Sequence, residues 1–223
     1  MSTVLLQADA VLRARPTPLR GAWSARGLGD LVGLVILFGL FYGTVMGSFG
    51  GVTGGRALQL LYSAVKVPML LLVTFAISLP SFFVLNTLLG LRQDFAWATG
   101  ALVSAQAGLT IILASLAPMT GLWYCSTPDY HSAVVFNGIL FAVASLGAQT
   151  ILRRLYRPLI ERNARHRLLL RLWVVIYTFV AVQMAWVLRP FVGDPESPTS
   201  FFRAGAWGNA WEVIARLVWD VIS

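Results

Sequence analysis

A thiol, a carboxylate and an imidazole fall within one short stretch of this chain. They are Cys125, Asp129 and His131, in the run Trp123-Tyr124-Cys125-Ser126-Thr127-Pro128-Asp129-Tyr130-His131. All three are residue types that ligate transition metals, and cysteine beside histidine is also the pairing that activates a thiolate nucleophile. A closed metal site needs a fourth ligand and groups that orient the ligands, and the sequence supplies neither. The Cys-His pair carries no recognisable signature of a cysteine nucleophile, and short spacing does not fix geometry. The expectation is therefore no metal and no catalytic residue, with Cys125, Asp129 and His131 as weak candidates for ligation. Cys125 is the only cysteine, which rules out a disulfide within the chain.

A second polar stretch, Arg189-Pro190-Phe191-Val192-Gly193-Asp194-Pro195-Glu196, has Arg203 beyond it. With five spans, it falls on the same face as the first. Together the two are expected to form a polar cap over a helical bundle, salt-bridged or offered to a partner outside the membrane.

The elements that must carry these residues are membrane helices. The chain is 57% hydrophobic and 12% charged, with a mean hydropathy of +0.74, far outside the soluble range. A helix needs roughly 18 to 20 apolar residues to cross about 30 Å of hydrocarbon. Runs that approach or exceed this length lie at Leu31–Phe49, Val67–Leu91, Trp97–Ala117, Ser132–Leu152 and Leu169–Leu188. The predicted fold class is an all-α integral membrane protein, a bundle of about five transmembrane helices with amphipathic interfacial helices at both termini. Residues 1–30 make an N-terminal segment, 31–188 the bundle, and 189–223 a loop with a C-terminal amphipathic helix.

At the N-terminus Val4, Leu5, Ala8, Val11 and Leu12 share one helical face, with Arg13 and Arg15 behind them. That apolar run is too short for a signal peptide, and no small-residue cleavage site follows it. At the other end Trp207, Ala210, Trp211, Ile214, Leu217, Val218, Val221 and Ile222 form a stripe opposite Asn209, Glu212, Arg216 and Asp220. Such a helix suits a headgroup layer or a partner subunit.

Arginines set the orientation. Arg13, Arg15, Arg20 and Arg26 precede the first span, and Arg92 lies in the second loop. Arg153, Arg154, Arg157, Arg162, Arg165, Arg167 and Arg171 crowd between the fourth and fifth spans. The other side receives only Arg56, Lys66, Arg189, Arg203 and Arg216. The positive-inside rule makes the N-terminus cytoplasmic and the C-terminus external, in a bacterial-type inner membrane. Arg153, Arg154, Arg157, Arg162, Arg165 and Arg167 are expected to contact lipid headgroups. The net charge of +8 flanks apolar runs rather than forming one stripe, so nucleic acid is not an expected partner. Trp97 and Trp123 bracket the third span, and Trp173 and Trp186 the fifth, as interfacial belts do.

Small residues supply the packing signal. Gly39, Gly43, Gly47 and Gly51 recur every fourth position along the first span, Gly100, Ser104 and Gly108 repeat the spacing on the third, and Ala144 and Ala148 echo it on the fourth. Such ridges let helices approach closely, either inside the bundle or against a partner subunit. Residues 50–55 are glycine-rich but lack the strand and lysine of a phosphate-binding loop. Pro68 sits in the first turn of the second span and Pro80 deep within it, where it kinks the helix or serves as a hinge, with Ser78 and Ser81 near enough to help satisfy the backbone.

As drawn, no span carries an ionisable residue in its central part, which argues against proton-coupled transport or voltage sensing. The spans' amides, Asn86, Gln106, Asn137, Gln149 and Gln183, suit interhelical hydrogen bonds. His131 and His166 lie at or beyond the membrane edges, an arrangement unlike haem or chlorophyll ligation. No cofactor is predicted, although apolar contacts suffice to hold a lipid or an apolar pigment. The expected function is non-enzymatic: an accessory, scaffold or anchoring subunit of a larger membrane complex, partnered by lipids and other subunits. The alternative is an oligomeric channel or small-solute transporter hinged at Pro80, and a membrane enzyme at the outer cap comes third.

Overall fold

The computed structural model describes residues 3–14, 25–53, 56–203, 206–213 and 219. Its helices run in the order α1 Thr3–Leu12, α2 Ala25–Gly47, α3 Ala57–Leu88, α4 Phe95–Ser126, α5 Tyr130–Arg162 and α6 Arg165–Val187. The 3-10 turn Arg92–Asp94 leads into α4, and no strand occurs among the described residues. The helices α2 to α6 are each long and apolar enough to cross a membrane. The chain is thus an all-α bundle with the make-up of a multi-pass membrane protein. Arg15, Arg20 and, from the C-terminal stripe, Ile214, Leu217, Val218, Val221 and Ile222 lie outside the described residues, as do Arg216 and Asp220.

The helices outrun the apolar windows that announce them. α3 and α4 have 32 residues each and α5 has 33, close to 50 Å at about 1.5 Å per residue. Hydropathy marks only the part that matches hydrocarbon, about 30 Å. The largest consequence is at the start of α3, which begins at Ala57 rather than at Val67.

α4 is the hub. Every residue from Gly100 to Ile111 is buried, which requires neighbours on all sides and small side chains that let them close in. α2 and α5 pack on α4, α1 lies against it, and α3 and α6 pair beyond α2. On α1 the buried residues are Ala8 and Val11; a Cβ on Gly108 would stand 3.7 Å from Val11 Cγ1 and 2.5 Å from Ile151 Cδ1.

The glycines of α2 face α3. A Cβ on Gly39 would press on the Pro68 ring at 3.2 Å, one on Gly43 would reach Ala64 Cα at 2.8 Å, and one on Gly47 would reach Ser63 Cβ at 2.8 Å. This ridge therefore meets another helix of the same chain. Gly51 lies past the end of α2 with φ +116° and open space where a Cβ would be, so it belongs to a turn and not to the ridge. Gly100 and Ser104 are both buried within α4. Pro80 stays inside α3 on its exposed side, and the Ser78 hydroxyl expected to support it is buried without a partner.

At the arginine-rich end, Asp94 gathers two helices. His166 Nε2 lies 3.1 Å from Asp94 Oδ2 and Arg162 Nη1 3.5 Å from Oδ1, while Arg165 donates to the Leu89 carbonyl at 3.2 Å. Arg157 pairs with Glu161 one turn along α5. Of the six arginines read as headgroup contacts, Arg162 and Arg165 thus close the bundle, and Arg153, Arg154 and Arg167 are exposed. Trp173 is also not a belt residue: it is 4% exposed, packed edge-on against Phe82 at 5.0 Å and Phe75 at 5.7 Å.

Candidate functional site

The earlier start of α3 changes the polar inventory of the bundle. Gln59, Ser63 and Lys66 are three, seven and ten residues into one helix, and all three are buried. Spacing of four and then three places them on a single face. Lys66, placed ahead of the second span by hydropathy, is a fully buried ionisable side chain inside α3.

That face is met by the chain that follows α6. Residues 189–203 form no regular structure and contact α3 and the first turn of α5. Backbone without a helix cannot sit among apolar helices unless its polar groups are satisfied by protein. Here four successive carbonyls each take a side-chain donor. Lys66 Nζ donates to Pro190 O at 2.7 Å, and Ser63 Oγ donates to Phe191 O, with Gln59 Nε2 also reaching it at 3.4 Å. Tyr130 donates to Val192 O at 3.4 Å and Arg56 Nη2 to Gly193 O at 2.9 Å. A Cβ on Gly193 would lie 2.7 Å from Gln59 Cδ, so the approach of this segment to α3 depends on glycine there. Phe201 closes the contact, edge-on to Tyr62 at 5.2 Å and 5.0 Å from Lys66 Nζ.

The cap expected from sequence is present, built differently. Its polar contacts run from side chains to carbonyls; no salt bridge joins it among the described residues. Asp194 takes the Glu196 amide at 3.0 Å and the Ser197 hydroxyl at 2.8 Å. These donors hold its carboxyl below the usual carboxylate range, with Arg56 and His131 adding to the effect.

Between this strap, α5 and α6 lies a cavity of about 790 Å³, within the range of roughly 300–1,000 Å³ typical of ligand sites. α5 and α6 share the core at the arginine-rich end, through Leu155, Leu159, Leu169 and Trp173. At the opposite end Val134, Val135 and Phe141 of α5 and Val182 of α6 line the cavity. Val134 and Val135 are 42% and 62% exposed, so the apolar wall is open to the outside of the bundle.

The polar wall is cationic. Arg56, Arg189 and Arg203 line it against one carboxylate, Asp194. The Arg189 guanidinium stacks on Trp186 with Cζ 3.2 Å from the ring centroid, and Arg203 Cζ lies 5.0 Å from the same ring. Burial and the neighbouring Arg203 charge lower the Arg189 pKa. Arg189 Nη2 and Trp186 Nε1 are buried with no hydrogen-bond partner. Donors in that state cost free energy until something accepts from them.

Cys125, Asp129 and His131 do not form a shared ligand cluster. Cys125 is exposed on the last turn of α4. Asp129 caps α5, accepting from the Ser132 amide at 2.8 Å and the His131 amide at 3.3 Å, and His131 borders the cavity. No group of three metal-ligating side chains comes together among the described residues.

Two of the amides act between elements. Asn137 accepts from Tyr42 at 2.9 Å and donates to Tyr124 at 2.7 Å, tying α2, α4 and α5 at the cavity wall. Gln183 on α6 donates to Gly208 O and accepts from the Ala210 amide, both at 3.0 Å. Asn86, by contrast, has both amide atoms buried and unpartnered, as is Gln106 Nε2.

Sequence reading missed Gln59, Ser63 and Lys66 as a unit, although their spacing inside an apolar stretch was the signal. The approach of Arg189 and Arg203 to the Trp186 ring left no such trace. No protein-family model, curated protein or solved structure matches the chain.

Proposed function

We propose that this is a non-enzymatic membrane protein that holds one amphiphilic molecule in the cavity between α5, α6 and the 189–203 strap. In a bacterial-type inner membrane with the arginine-rich end cytoplasmic, the cavity faces the outer leaflet. The single observation that carries this reading is the cavity's division into an exposed apolar wall, with Val134 and Val135, and a cationic wall, with Arg56, Arg189 and Arg203. Proteins bind amphiphiles by matching both halves at once, burying the chain and satisfying the head.

An accessory role in a larger complex is the second reading. It is favoured by the aromatic groups exposed near the strap, Phe202 at 40% and Trp207 at 82%, which suit a headgroup layer or a partner. The channel alternative has less support, since α4 fills the middle of the bundle and the glycine ridge is engaged within the chain.

The test is native mass spectrometry of the protein extracted in mild detergent, with lipid analysis of the same particle. One amphiphile retained per chain, lost when Val135→Trp fills the apolar wall, is the expected result. A particle with no retained amphiphile, or with one unaffected by Val135→Trp, would overturn it.

A further inference from the structure

We infer that the cationic end of the cavity is a site for a phosphate monoester headgroup, seated between Arg189 and Arg203 against Trp186. This rests on the reading that the cavity holds an amphiphile, and adds what its head must be.

Charge gives the first argument. Arg189 and Arg203 lie within 5.0 Å of one indole centroid and neither has a carboxylate partner among the described residues. Asp194 is the one acid on the cavity wall, and it faces Arg56 and His131 with its oxygens already engaged by Glu196 and Ser197. Setting Asp194 against Arg56 leaves two guanidiniums uncompensated, a charge that a phosphate monoester matches and a phosphodiester half-matches.

Donor geometry gives the second. Guanidinium groups bind phosphate oxygens through paired N–H donors. Arg189 and Trp186 both line the cavity, and Arg189 Nη2 and the Trp186 indole N–H have no hydrogen-bond partner. Stacking on the indole holds the Arg189 plane in place before any ligand arrives, while its Nε engages the Trp186 carbonyl at 3.4 Å. The apolar wall favours a lipid as the source, because the exposed Val134 and Val135 line the same cavity.

The experiment is thermal unfolding of the full chain in neutral detergent with phosphatidate, phosphatidylglycerol, diacylglycerol or inorganic phosphate added. Phosphatidate should raise the midpoint at the lowest concentration, with phosphatidylglycerol needing about tenfold more. Arg203→Gln, at an exposed position, and Arg189→Gln should each weaken phosphatidate about tenfold while leaving diacylglycerol unchanged. Should Arg189→Gln fail to fold, Arg203→Gln alone decides. Equal response to phosphatidate and diacylglycerol, untouched by the arginine variants, overturns the headgroup assignment but leaves an amphiphile-holding cavity. Inorganic phosphate as effective as phosphatidate overturns the lipid source. No response to any of the four overturns this inference and, with native mass spectrometry, the reading beneath it.

Discussion

Gly43 and Ser63 are in backbone contact: a Cβ on Gly43 would overlap the Ser63 carbonyl and stand 2.8 Å from Ala64 Cα. Ser63 then donates from its other side to Phe191 O. One missing side chain on α2 thus sets how far α3 projects its polar face toward the strap, and so the width of the cavity beyond it.

Gly43→Ile should force the two helices apart. Overpacking against backbone costs about 1–3 kcal/mol, and the strap should loosen with α3. Gly121→Ala is the control, because nothing lies within 4 Å of a Cβ there, and removing a helical glycine gains up to about 1 kcal/mol. Thermal unfolding in detergent reads both. Equal midpoints for Gly43→Ile and the parent would show that α2 and α3 do not meet at this point.

The carbonyls of the strap differ in how well they are insured. Phe191 O has both Ser63 and Gln59, whereas Pro190 O has Lys66. Lys66→Met should therefore cost about 1–3 kcal/mol through a stranded carbonyl, and Ser63→Ala less, about 1 kcal/mol. Limited proteolysis within residues 194–200 should follow the same order. Faster cleavage of Ser63→Ala than of Lys66→Met would contradict it.

Acid should release one turn of the strap. The Asp194 carboxyl is lowered by the Glu196 amide and the Ser197 hydroxyl. Its contribution is complete above the ordinary carboxylate pKa of about 3.9 and falls away as pH drops through the lowered value. Hydrogen exchange at the Glu196 amide, protected near neutrality, should accelerate below about pH 4 relative to its intrinsic rate. In Asp194→Ala that protection should be missing at every pH.

At the opposite end, Asp94 should matter more than the arginine beside it. Asp94→Ala leaves the fully buried His166 Nε2 without a partner, worth about 1–3 kcal/mol. Arg162→Gln removes a contact whose arginine is 65% exposed, worth less than about 1 kcal/mol. Unfolding midpoints in that order support the clasp, and the reverse order refutes it.

Much of the bundle was legible because lipid imposes length and polarity on every span. The five apolar runs, the small-residue ridge of Gly39, Gly43 and Gly47, and the capping loop all follow from such rules. Hydropathy failed at Lys66, where a window that penalises one cation ended the span although the helix continues for nine residues before it. It failed at Trp173 too, since a tryptophan near a span end reads as interfacial whichever way the helix turns it. The gathering of Arg189 and Arg203 around Trp186 could not be read at all, because an irregular strap of more than ten residues has no period from which to infer contact.

The strap also bears on how the protein is made. Its donors belong to Arg56, Gln59, Ser63, Lys66 and Tyr130, all synthesised and inserted well before Pro190 emerges. Until then α3 presents an amine, an amide and a hydroxyl to its surroundings with no backbone to receive them. A chain stopped at Leu188 would therefore carry every span and still hold an open polar wound at the head of α3, the kind of defect that membrane quality control is suited to find.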